Sequence, residues 1–117
     1  MSPVMRKTAI ARSAEVAGVF GHPLRLGILS MLADQPRIVT DLVAGAGVEQ
    51  AQVSKHLAIL RSAGLLQCTP EGRCRVYSLA DTQGVRSLLS ALASVGQTAA
   101  TNKTRCARTS VRARATA

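Results

Sequence analysis

Residues 40–64 read TDLVAGAGVEQAQVSKHLAILRSAG, and their punctuation decides the fold. Thr40 can cap a short helix over residues 41–44, with Gly45 as its left-handed stop. Residues 45–49 then make a turn, and a second helix runs from about residue 50 to Ala63, where Gly64 ends it. On a helical wheel at about 100° per residue, Val53, Leu57 and Leu60 fall within about 60° of one another and point into a core. Opposite them lie Ala51, Lys55, Ala58 and Ser62, flanked by Gln52 and Ser54. Such a shallow face suits a major groove: glutamine can pair with adenine, serine and lysine take base edges or phosphate, and alanine meets a thymine methyl. No acid occurs between Glu49 and Glu71, so phosphate meets no local repulsion there. An ordinary solvated helix face has the same polarity, so the flanking elements carry the weight. A short helix, a glycine-containing turn and a second helix form a helix-turn-helix unit.

Working outward, residues 65–69 and 74–79 read as two strands around a Pro70-Glu71-Gly72 turn. A hairpin directly after the second helix is the wing of a winged helix. Upstream, residues 5–19 predict a helix with Ile10, Ala14 and Ala17 on its apolar stripe. His22-Pro23 starts another, carrying Leu24, Ile28, Leu29 and Leu32 and ending near residues 34–36. Downstream, Asp81 caps a last helix whose stripe is Val85, Leu88, Leu89, Leu92 and Val95. The expected fold class is mainly α with a β-hairpin wing, a winged helix-turn-helix domain over residues 1–96. That terminal stripe has little else to cover it, which predicts a homodimer.

The chain has 117 residues, a formal charge of +9 and 47% hydrophobic residues, so it can collapse around one core. Residues 97–117 hold Lys103, Arg105, Arg108, Arg112 and Arg114 with no acid. Composition there predicts a basic, disordered tail that adds non-specific affinity for phosphate. Phe20 and Tyr77 are the only aromatics, which argues against the base-stacking surfaces of RNA-binding sheets and single-strand grooves. Double-stranded DNA is the favoured partner. No stretch reaches the ~18 apolar residues of a membrane span. The basic N-terminus lacks a continuous apolar region and carries Glu15, unlike a secretory signal. Three cysteines are an odd number, so reduced thiols in a cytoplasm fit better than a disulfide framework.

Residues 53–61, then Ala63-Gly64-Leu65-Leu66, Glu71-Gly72-Arg73 and Tyr77-Ser78-Leu79, closely resemble the ArsR/SmtB family of bacterial winged-helix repressors. Upstream, residues 21–29, GHPLRLGIL, resemble that family's second-helix signature. The resemblance implies a homodimer that binds operator DNA and dissociates when a metal ion or another inducer binds. It implies DNA contacts at Gln50, Gln52, Ser54, Lys55 and His56, and a dimer interface from the first and last helices, with Ile10, Val85, Leu88, Leu89 and Leu92. Glu49 departs from the good cap the family often has. His56 lies at the border of the apolar face, either hydrogen-bonded within the fold or touching phosphate.

The last helix has no histidine and residues 39–64 have no cysteine, so two metal sites common in that family are absent. Cys68, Cys74 and Cys106 remain as ligands for a thiolate-bound soft metal or metalloid ion, or as oxidisable thiols. A three-residue loop centred on Glu71 would pair Cys68 with Cys74; a two-residue loop at Glu71-Gly72 would pair Cys68 with Arg75 and separate the sulfurs. Cys68 as a small hydrophobe and the other two as incidental thiols is the simpler alternative. The rival function is a winged-helix protein–protein module with a loosely nucleic-acid-binding tail. Arg73, Arg75, Lys55 and Arg61 on the wing and recognition helix favour DNA over it. No nucleophile, phosphate-loop or metal-hydrolase spacing suggests an enzyme.

Overall fold

A computed structural model describes the backbone of residues 6–116 and the side chains of residues 6–105. The order is α1 (Lys7–Phe20), α2 (Pro23–Asp34), β1 (Arg37–Ile38), α3 (Val39–Ala46), α4 (Gln50–Ser62), β2 (Leu66–Glu71), β3 (Cys74–Leu79) and α5 (Thr82–Thr116). The chain divides into two compact units, Met1–Val85 and Arg86–Ala117.

In the first unit, α2, α3 and α4 pack on one another, and the small sheet closes against them. Ile28, Leu29, Leu42, Val53, Leu57 and Leu60 are sealed from solvent. Val53, Leu57 and Leu60 are the stripe that the wheel assigns to the core. α2 begins with His22 as N-cap, its side chain accepting the Leu24 N–H, and Pro23 as first residue. Such a proline gives up an N–H that would have no helical partner. α4 ends in a Schellman motif, with Leu65 N–H on Leu60 C=O and Gly64 N–H on Arg61 C=O.

Three local readings are corrected. α3 starts earlier than expected, with Ile38 rather than Thr40 as N-cap, and its left-handed end is Gly47 at φ 69°. Gly45 lies inside α3, where a Cβ would collide with Met31 Sδ, so its role is close approach to α2. The hairpin loop is Gly72-Arg73, with Glu71 opposite Cys74 and Cys68 opposite Tyr77. Gly72 alone takes a positive φ, 62°, which matches a two-residue loop of type II′. Pro70 is thus a strand residue, tolerated because β2 is an edge of the order β1-β3-β2. β1, two residues long, pairs Arg37 with Tyr77 and Ile38 with Val76. It is too short to show alternation in sequence.

Asp81 caps α5 as expected, accepting the Gly84 N–H at 2.9 Å. Val85 is buried at 5% exposure, so it belongs to the chain's own core and is withdrawn from the dimer set. In the second unit, residues 97–116 continue the helix where composition predicts disorder. The hydroxyls of Thr98, Thr101 and Thr104 bond back to the carbonyls four residues earlier, so they do not compete with the helix. Leu88 and Leu89 are half-buried, while Leu92 and Val95 are exposed.

Candidate nucleic-acid interface

The turn of residues 47–49 lets α3 and α4 pack together, and burial of Val53, Leu57 and Leu60 sets the rotation of α4. That rotation leaves Gln50, Gln52, Ser54, Lys55, Ala58, Arg61 and Ser62 exposed. No side chain caps the start of α4 at Glu49, which leaves its first N–H groups open toward solvent or ligand. On the wing, Arg73 in the loop and Arg75 on β3 are exposed.

Helix and wing meet along a groove of about 420 Å³ lined by Ser54, Ala58, Arg61, Ser62, Arg75 and Tyr77. Arg61 counted toward the basic charge in the sequence but not toward the site, and Tyr77 was absent from it. Both had a readable signal. Arg61 follows Ser54 and Ala58 at helical spacing, and Tyr77 shares a strand face with Arg75 two residues earlier. A groove with two guanidiniums, two serine hydroxyls and a phenol offers the kind of donors that bind a sugar–phosphate chain.

His56 belongs elsewhere. It is buried at 8% exposure, its Nδ1 lies 3.4 Å from Arg25 Nη1, and its ring centroid is 4.5 Å from that of His22. The expected phosphate contact is therefore corrected: the side chain turns into the fold. Burial, with His22, Arg25 and Lys55 adding positive potential, holds the imidazole below its ordinary value of 6.5.

The thiols do not converge. Cys68 is opposite Tyr77 and Cys74 opposite Glu71. They stand at an odd separation in the ladder, so their side chains leave opposite faces of the hairpin. The Cys68–Cys74 bridge expected for a soft ion is thus not formed within one wing. The Cys106 side chain lies outside the described residues. Among the described residues, no group of three or more His, Cys, Asp and Glu side chains could hold a metal ion. No single described helix is long and apolar enough to cross a membrane.

Residues 22–67 match the bacterial regulatory protein, arsR family. The HTH-type transcriptional regulator NmtR of Mycobacterium tuberculosis is 43% identical over 74 residues, covering 63% of this chain and 62% of NmtR. The chain thus spans less than two thirds of that relative. The HTH-type transcriptional regulator CmtR of the same organism is 38% identical over 84 residues, covering 72% of this chain and 69% of CmtR. Among solved structures, the homodimeric winged helix-turn-helix DNA-binding domain Mb0332 of Mycobacterium bovis, fragment 1–100, aligns with a TM-score of 0.68. Its identity is 26%, over 83% of this chain and 91% of that one.

Proposed function

The chain belongs to the arsR family of bacterial regulatory proteins, and from that membership we propose that it is a homodimeric repressor of transcription. Each copy lays α4 in the major groove of operator DNA and its wing along the adjoining backbone. One observation carries the reading: the exposed face of α4 runs without an acid into the Arg61–Arg75 groove, while its opposite face is sealed in the core. Gln50, Gln52, Ser54 and Lys55 face base edges or phosphate, and Arg61, Arg73 and Arg75 face phosphate. A repressor acts by occupying its operator, so an inducer acts by lowering that occupancy. A second copy covers the large aliphatic side chains left in solvent, Ile10 on α1 and Leu92 and Val95 on α5.

The test is binding to a duplex that the protein itself enriches from a random-sequence pool, measured at several salt concentrations. Arg61→Ala with Arg75→Ala should lower the salt slope by about 2 while the variant stays folded. Failure to enrich any duplex, or a slope unchanged by the double variant, would overturn the reading.

A further inference from the structure

His56 is the polar side chain buried in the core among the described residues, and DNA contact gives it no task. Its surroundings specify its proton. Arg25 Nη1 stands 3.4 Å from His56 Nδ1, and a guanidinium only donates, so the imidazole accepts there and is neutral. The neighbouring His22 ring, tilted by 39°, uses its own Nδ1 to accept the Leu24 N–H at 3.1 Å. That atom too carries no proton. Arg25 is anchored in turn, its Nε donating to the Val19 carbonyl at 2.7 Å. One cluster thereby joins the end of α1, the start of α2 and the middle of α4.

We propose that the His22–Arg25–His56 cluster is a proton-operated latch on the recognition helix, holding α4 in its DNA-reading position while the His56 imidazole is neutral and loosening it on acidification. The effect on DNA rests on the function proposed above; the latch itself rests on the cluster's geometry.

A proton on His56 Nδ1 would set one cation against another across a part-buried contact. The charged and titratable groups acting on His56 are His22, the N-cap of α2, Arg25 from α2 and Lys55 from its own helix. Among the described residues, α3 and β2, which also pack on α4, bring none. No carboxylate among the described residues acts on His56 to compensate an imidazolium. The sign follows: below pH 6.5 the unfolded chain takes up a proton that folded His56 resists, so stability falls as pH falls. A histidine bound to phosphate would behave oppositely, because the anion favours the imidazolium and acid would tighten binding.

The experiment uses the whole chain at constant ionic strength, with a duplex enriched from a random pool at pH 7.5. Affinity should fall about tenfold between pH 7.5 and 5.5, the equivalent of one proton taken up across about one pH unit. The thermal midpoint without DNA should fall over the same range. In His22→Asn/His56→Gln, asparagine can still cap α2 and glutamine can still accept from Arg25, yet neither titrates. Both pH profiles should flatten in that variant. In the wild type, ring nitrogen shifts should show His56 as the neutral Nε2–H tautomer at pH 6.5, a readout that survives if the variant does not fold. Affinity that is flat or rises on acidification, a fall that the double variant keeps, or a charged His56 ring at pH 6.5 would each overturn the latch. An unenriched pool would sink the DNA reading alone, leaving the latch to be judged by unfolding and ring shifts.

Discussion

Lys55 and Leu57 stand two residues apart on α4, one in solvent and the other 2% exposed. Their substitutions should fail in different ways. Lys55→Ala removes one cation and no packing, so the salt slope of DNA binding should drop by about 1 with an unchanged thermal midpoint. Leu57→Ala leaves a cavity among sealed aliphatics and should cost about 2–5 kcal/mol in urea unfolding. These two roles were legible in sequence, because helical spacing places them on opposite faces. The role of His56 was not. At the edge of the wheel its direction depends on Arg25 and His22, which lie more than thirty residues away in sequence.

Among the elements, the wing was legible in outline and not in register. The turn residues announced a hairpin, but each candidate loop predicts a different partner for Cys68, and a one-residue slip reverses every side chain. The observed Gly72-Arg73 loop puts Cys68 on the face of Arg75 and Tyr77, and Cys74 on the other. Oxidation of the reduced protein with diamide should therefore give no Cys68–Cys74 disulfide within one chain. Peptide mapping under non-reducing conditions would detect one, and its presence would refute this register. The end of α3 carries the same lesson: Ala44-Gly45-Ala46-Gly47 offers several stops, and the helix passes Gly45, which packs close to Met31, to end at Gly47.

For the whole molecule, the prediction concerns association. Among the described residues, Ile10 on α1 and Leu92 and Val95 on α5 are the large aliphatic side chains left exposed. Sedimentation at micromolar concentration should give a dimer, and Leu92→Asp/Val95→Asp should shift it toward monomer and weaken DNA binding with it. Two linked recognition helices would then read half-sites about 34 Å apart. Removing residues 97–117 should reduce non-specific DNA affinity more than the ratio of specific to non-specific binding, since the segment brings five basic residues and no acid. A collapse of specificity in that truncation would show that the segment takes part in sequence reading.

By itself the sequence determined the helix-turn-helix, the presence of a wing, the sealed stripe of α4 and the acid-free face behind it. Each depends on spacing within one element, where helix and strand periods dictate which side chains share a face. Tertiary structure decided the pairing of β1, the hairpin register, the burial of Val85 and His56, and the groove joining Arg61 to Arg75. These depend on contacts between segments far apart in the chain. Local propensity carries no record of such contacts, because packing energy and hydrogen-bond partners are settled only when the elements meet.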